Sequence, residues 1–172
     1  MTESRDRRQW IENALSRYER PLVRYAWRLL GDVDTARDVV QECFLRLVRQ
    51  RSEKVDGHVR EWLYAVCRNC CVDQMRKRGR MDMHENLDLL AADDTLDVVA
   101  RGDEMDRIRH TVGGLPARQQ EILRLKFQEG LSYKQIASVT QVSVSNVGFL
   151  LHQALKTLRA RLGAAAGGRN QA

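Results

Sequence analysis

The chain has 172 residues, 30% of them charged, with only two prolines and eleven glycines, a composition that favours a helical protein over a sheet-rich one. A net charge of +6 and a pI near 9.5 suit a polyanionic partner such as nucleic acid. No apolar run approaches the roughly 18 residues that span a bilayer, and the polar start Met1-Thr2-Glu3-Ser4-Arg5 lacks a signal-peptide core, so a cytoplasmic location without membrane insertion is expected.

The first apolar periodicity runs from about Arg7 to Leu30, is interrupted by Pro21 and closes at Gly31-Asp32, which predicts one kinked helix or two short ones. A second helix is expected from about Thr35 to Arg51, with Asp34 as its cap. On it Val39, Val40, Cys43, Phe44 and Leu47 form the core face. Asp38, Gln41, Glu42, Leu45 and Arg49 share the opposite face. A leucine centred on a mixed-charge face suits a protein-docking strip, but single exposed leucines also occur without any role.

The polar stretch Ser52 to Gly57 reads as a loop, and a third helix follows from about Val59 to Lys77, ending in the basic run Arg76-Lys77-Arg78-Gly79-Arg80. Trp62, Asn69, Asp73 and Arg76 share one face of it, with Lys77 beside them. An aromatic ring, an amide and several cations can hold unstacked bases and their phosphates. The alternative makes Trp62 a core residue and Asp73 with Arg76 a surface ion pair one turn apart.

Charge divides the chain. There are 17 basic against 12 acidic residues over 1–78, 3 against 9 over 79–107, and 9 against 2 over 108–172. The irregular, acidic stretch from Met81 reads as a linker with one short helix near its end, and its charge suits it to cover a basic surface when DNA is absent.

Beyond Gly113-Gly114, Pro116 suits the first turn of a helix to Gln128 that stops at Gly130. Ser132 then caps a short helix through about Thr140, and Ser143 caps a last one reaching Leu162. The small, polar tail from Gly163 is expected to be disordered. Two helices joined by a three- or four-residue turn have the spacing of a helix-turn-helix. In the last helix Val147, Leu151, Ala154, Leu158 and Leu162 form an apolar stripe, while Ser145, Phe149, His152, Gln153 and Lys156 point away. Gln153 and Asn146 suit adenine edges, Phe149 a thymine methyl, and Ser145 and Lys156 phosphates. An ordinary helical hairpin with a solvated face is the plainer reading.

Four cysteines, Cys43, Cys67, Cys70 and Cys71, are expected to be free thiols that pack as small apolar side chains, with a zinc or redox site as the alternative. No glycine-rich phosphate loop, nucleophile elbow or metal-ligand helix is present, and His58, His84, His110 and His152 are scattered. No enzyme activity, cofactor, metal or small-molecule substrate is therefore expected.

Two ordered sets of motifs add to these readings. The first comprises Leu29-Leu30-Gly31-Asp32, the run Ala36 to Leu45, and Trp62-Leu63-Tyr64 with Arg68-Asn69 and Asp73. The second comprises Leu115-Pro116-Ala117-Arg118, Glu129-Gly130-Leu131-Ser132, Ile136-Ala137, Val142-Ser143, Val147, Ala154 and Leu158-Arg159. In order and type they resemble the bacterial RNA polymerase sigma factors of the extracytoplasmic-function type, the family's shortest form, which keeps only its second and fourth conserved regions.

The resemblance implies an all-α chain of two small helical domains: a three-helix region 2 domain over 5–80 and a region 4 helix-turn-helix domain over 108–162. They are joined by the acidic linker 81–107 and followed by the tail 163–172. It further implies that Asp38, Gln41, Glu42, Leu45 and Arg49 dock on core RNA polymerase. Lys54, His58, Trp62, Asn69, Asp73, Arg76, Lys77 and Arg78 would engage the minus-10 element and trap a flipped base. Ser143, Ser145, Asn146, Phe149, His152, Gln153 and Lys156 would read the minus-35 element, and an anti-sigma factor would hold the protein in check. The chain departs from the family's frequent glutamate at Gln135, and from its frequent basic residues at Gly148, Leu150, Gln153 and Leu155. The rival reading is a stand-alone helix-turn-helix regulator that binds duplex DNA without polymerase.

Overall fold

The computed structural model describes residues 2–79 and 103–167. Most of the acidic stretch, and with it the expectation that it covers a basic surface, lies outside the described residues. All regular structure among the described residues is helical: α1 (Thr2–Leu30), α2 (Val33–Arg49), α3 (Ser52–Val55), α4 (Val59–Lys77), α5 (Asp103–Gly113), α6 (Ala117–Phe127), α7 (Tyr133–Thr140) and α8 (Val144–Gly167). The chain divides into two compact units, made in the main of α1–α4 and of α5–α8.

In the first unit α1, α2 and α4 pack on one another in pairs. Pro21 lies inside α1 without dividing it. It removes one intrahelical hydrogen bond, but Ala14 on one side and Leu22, Tyr25, Ala26 and Leu29 on the other are buried along the same face, and this packing carries the helix across the gap. Gly31 then takes a left-handed conformation, φ 71°, and ends α1 with its N–H bonded to the Trp27 carbonyl at 2.7 Å.

Because Asp32 follows immediately, it caps α2 in place of Asp34. Its carboxylate accepts from the Thr35 N–H at 2.9 Å. Asp34 falls in the first turn, where it favours the helix dipole and pairs with Arg37 at 3.3 Å. The other end of α2 also comes earlier than the periodicity suggested. Arg7 of α1 donates from Nη2 to the carbonyls of Val48 at 2.7 Å and Gln50 at 2.6 Å, so these groups are satisfied without a further turn.

The stretch expected to be a loop contains the single turn α3, which buries Val55. The domain thus has a short fourth helix besides the three predicted. The core is filled by Leu22, Leu47, Val55, Leu63 and Tyr64, with Tyr25 set edge-on to Tyr64 at a centroid distance of 5.2 Å.

In the second unit α5 and α6 each pack against α8. The short helix expected at the end of the acidic stretch is α5, which runs on to Gly113. Pro116 stands at the cap of α6 rather than within its first turn. Gln120 is only 4% exposed and fastens the turn ahead of it, donating from Nε2 to the carbonyls of Gly113 at 2.9 Å and Leu115 at 2.7 Å. Ser132 caps α7 as expected, and Gln135 completes a reciprocal capping box by accepting from the Ser132 N–H at 2.9 Å. An amide oxygen thus fills the acceptor role at the position where the resemblance leads to an expected glutamate. The last helix runs through Gly163 to Gly167, so residues 163–167 are helical where a disordered tail was expected. Residues 168–172 lie outside the described residues.

Candidate polymerase and nucleic-acid interfaces

The faces of α2 separate as the periodicity predicts. Val39, Val40, Cys43, Phe44 and Leu47 are buried against the rest of the unit. Asp38, Gln41, Leu45 and Arg49 are exposed, and Glu42 is half-buried. Leu45 keeps 47% of its surface open and Val48 beside it 46%. Glu42 accepts from Arg46 Nε at 2.8 Å one turn on. This surface pair adds little stability, yet it sets the carboxylate's direction beside the apolar spot. The strip therefore offers a small hydrophobic centre with charged surroundings, the make-up of a protein contact.

On α4 the buried side is Leu63, Tyr64, Cys67, Cys70 and Cys71. Asn69, Asp73, Arg76 and Lys77 are exposed along the other side, and Arg78 follows at the cap. Trp62 is half-buried, neither a fully buried core residue nor an exposed one. Asp73 faces solvent and pairs with Arg76 at 3.6 Å, the surface ion pair of the plainer reading. Lys54 on α3 and His58 at the start of α4 are exposed.

Arg78 has partners that the sequence did not suggest. Its Nη2 donates to the Thr35 hydroxyl and lies 4.0 Å from the Asp32 carboxylate. Asp32's pKa is lowered from its ordinary value, first by hydrogen bonds from the Thr35 hydroxyl and N–H and then by the Arg78 charge. The end of α4 and the start of α2 thus share one polar cluster, and Arg78 divides its charge between that cluster and solvent.

In the second unit the turn Gln141-Val142-Ser143 joins α7 to α8, with Gln141 in the left-handed region at φ 56°. The Ser143 hydroxyl accepts from the Asn146 N–H at 3.1 Å, which caps α8 as predicted. Val147, Leu151 and Ala154 are buried, whereas Leu158 and Leu162 of the same stripe are only half-buried. Ser145, Asn146, Phe149, His152 and Lys156 are exposed, Phe149 at 59%. Gln153 is half-buried and lies towards the edge of that face.

Sequence reasoning missed Tyr133. A Cβ built on Gly148 would lie 3.7 Å from its ring, and Lys126 Nζ sits 5.3 Å from the ring centroid. The Tyr133 ring therefore lies against α8 at Gly148 and carries Lys126 over it. A glycine inside a helix was the available signal, since it marks a close approach.

The four cysteines are free and buried. Among the described residues no group of three or more His, Cys, Asp or Glu could hold a metal, and no helix is long and apolar enough to cross a membrane.

Two family descriptions match in chain order: Sigma-70 region 2 over residues 14–81, and Sigma-70, region 4 over residues 105–158. The ECF RNA polymerase sigma factor SigL of Mycobacterium tuberculosis is 31% identical over 82% of this chain and 82% of its own length. SigW of Bacillus subtilis, also an ECF RNA polymerase sigma factor, is 26% identical over 84% of each chain. SigE of Mycolicibacterium smegmatis is 29% identical over 79% of this chain, which spans 55% of that longer relative. The sigma factor RpoE of Bartonella quintana, solved in complex with the anti-sigma factor NepR, shares the fold with a TM-score of 0.63, covering 88% of this chain and 96% of that one at 20% identity. The chain belongs to the ECF sigma factors of RNA polymerase. It is accordingly a DNA-binding transcription initiation factor with core polymerase and promoter DNA as its partners.

Proposed function

We propose that the two units divide promoter work between them, residues 5–80 serving polymerase docking and the minus-10 element and residues 108–162 the minus-35 element. Asp38, Gln41, Glu42, Leu45 and Arg49 on α2 form the contact with core polymerase. Asn69, Asp73, Arg76, Lys77 and Arg78, with Lys54, His58 and the half-buried Trp62, hold the melted minus-10 strand, bases against ring and amide and phosphates against cations. Ser143, Ser145, Asn146, Phe149, His152 and Lys156 enter the major groove at the minus-35 element, with Gln153 at the edge of the contact.

The observation that carries this reading is the division of α8, which buries Val147, Leu151 and Ala154 and leaves Phe149 open in the middle of a polar face. An aromatic there has no partner role in a solvated hairpin and a clear one against a thymine methyl. The stand-alone regulator is the weaker reading, because the chain has both a region 2 and a region 4 match.

The protein acts in the cytoplasm, where polymerase and promoters are, and leaves the chemistry to polymerase, requiring no cofactor of its own. An anti-sigma factor restrains it, as NepR partners RpoE in the Bartonella quintana complex. Reconstituted transcription tests the whole reading. Core polymerase with this protein is expected to protect and open a promoter that neither component opens alone. Tight, specific promoter binding by the protein unaided, with no initiation on adding core enzyme, would favour the stand-alone regulator.

A further inference from the structure

The second unit holds more positive charge than its reading face uses. Residues 108–172 include 9 basic against 2 acidic residues, yet Lys156 is the one fixed cation among the exposed residues proposed above to enter the groove. A further cation stands at the α6–α7 turn. Lys126, half-buried in the last turn of α6, donates from Nζ to the Leu131 carbonyl at 3.4 Å and lies 5.3 Å from the centroid of the Tyr133 ring. Leu131 is fully buried, so the carbonyl that receives the ammonium is fixed in place. Among the described residues no carboxylate pairs with Lys126, and its charge is left unneutralised.

Tyr133 joins this cation to the last helix. A Cβ at position 148 would lie 3.7 Å from Cε2 of the ring and 4.0 Å from Cδ2, so one ring edge rests over a residue with no side chain to hold it off. Gly148 follows Ser145 by three residues and precedes His152 by four, which sets the ring on the flank of the exposed face that those two residues border. The ring is itself 41% exposed, so packing into the core does not account for it.

The plain reading makes Lys126 a brace for the turn. Its position says more. An α-helix with its side chains is about 10–12 Å across and fills a major groove about 12 Å wide, so groups on the flank of such a helix face the phosphate walls. An ammonium has three donors. With one on the Leu131 carbonyl and one towards the ring, the third is available to a phosphate oxygen.

We propose that Lys126 contacts a backbone phosphate at the edge of the minus-35 element, and that Tyr133 is its positioning residue, holding the ammonium at the flank of α8. This role rests on α8 being the helix in the groove, as proposed above. A contact of this kind carries register and not sequence. It fixes how α8 sits between the walls, and so where Phe149 and Gln153 meet the bases.

The test measures promoter binding by the full chain with core polymerase, on duplexes in which single phosphates around the minus-35 element are replaced by neutral methylphosphonates. Lys126→Met keeps the stem and removes the charge. It should weaken binding on the order of tenfold, the scale of one charge-assisted hydrogen bond, and flatten the log–log salt slope by about 0.9. One methylphosphonate that weakens the parent should cost Lys126→Met nothing further. Lys126→Arg should restore affinity and slope, since it keeps both the charge and the stacking on the ring. Tyr133→Phe should bind as the parent. Tyr133→Ala leaves the lysine charged but unplaced, so it should keep most of the slope, lose affinity, and spread the sensitivity over neighbouring phosphates. Lys134→Met removes an exposed charge next to Tyr133 and should leave the effect of that one phosphate intact.

The proposal is overturned if Lys126→Met keeps the parent's affinity and slope, if no single phosphate loses its effect in that variant, or if Tyr133→Ala leaves the phosphate map unchanged. A lower melting temperature of Lys126→Met with unaltered DNA binding identifies the brace and overturns it equally. A complex that binds no promoter counts against the functional reading instead. The free full chain on unrelated duplex at low salt then decides the lysine, because a phosphate contact does not depend on sequence, and a salt slope unchanged by Lys126→Met overturns the proposal there too.

Discussion

Arg78, at the end of α4, lies 4.0 Å from Asp32, the residue that caps α2, so one carboxylate serves both a helix start and a cation from another helix. Both neighbours favour its charged form, and its pKa falls below the ordinary 3.8 for that reason. A depressed carboxylate contributes stability that is complete above its unfolded pKa and is lost as pH falls through the folded one. Thermal unfolding should therefore show extra destabilisation as the pH falls below about 4, beyond that of general charge repulsion. Asp32→Asn keeps a capping oxygen and removes the titration, so its melting temperature should fall less steeply across the same window. Parallel curves for the two proteins would contradict the linkage.

Leu45 tests the docking strip. It is half open to solvent, and its neighbours Val40, Cys43, Phe44 and Leu47 carry the packing of α2. Leu45→Asp is expected to leave the melting temperature within about 2 °C of the parent, since exposed substitutions usually cost under ~0.5 kcal/mol. Binding to core polymerase should fall by about 2 kcal/mol or more, the scale for a residue central to an interface. Fluorescence titration of core enzyme against labelled protein measures it. Unchanged affinity would remove Leu45 from the contact.

These residues also mark how far the sequence could be read. Period and spacing gave the core face of α2 and the first half of the stripe on α8, Val147 to Ala154, because a buried stripe depends on apolar positions that repeat locally. They misplaced the cap of α2, since the pattern let Gly31-Asp32 together close the first helix and left Asp34 to start the next, whereas Gly31 alone ends α1 and Asp32 already caps α2. The end of α2 depends on Arg7, more than forty residues away, and no local pattern contains that contact. The same holds for Arg78, read as a phosphate contact from its basic run, whose Asp32 and Thr35 partners arise only from folding. The family roles of the strip and of α4 came from ordered motifs, not from chemistry visible in any single helix.

Gln120 tests the turn between α5 and α6. Its buried amide donates to the Gly113 and Leu115 carbonyls, and its Oε1 accepts from Arg124 at 3.1 Å. Gln120→Ala would leave these groups without that partner in a closed site, a loss of about 1–3 kcal/mol. Denaturant unfolding of the full chain should show this as a lower midpoint for the second unit, with the first unit unaffected. Gln120→Glu keeps the volume but loses the donors, so it should be at least as destabilising near neutral pH. A stable Gln120→Ala protein would show that water replaces the amide at little cost.

On α8, Phe149 and Lys156 are exposed on one face but should fail in different ways. Phe149 offers no charge, so Phe149→Ala should weaken binding to the cognate minus-35 sequence by ~1–3 kcal/mol, with little effect on unrelated DNA or on the salt slope. Lys156 offers only charge in this role, so Lys156→Ala should weaken both sequences similarly and flatten the log–log salt dependence by about 0.9 for each phosphate the lysine neutralises. The other exposed residues of this face, Ser145, Asn146, Phe149 and His152, carry no fixed positive charge, so the parent slope should itself be shallow. Promoter binding by the polymerase complex at several salt concentrations separates the two effects. A steep parent slope that survives Lys156→Ala would place the phosphate contacts elsewhere, with Lys126 beside Tyr133 the next cation to substitute. If Phe149→Ala instead weakened all DNA equally, the ring would be supporting the helix's position on the groove and not reading a base.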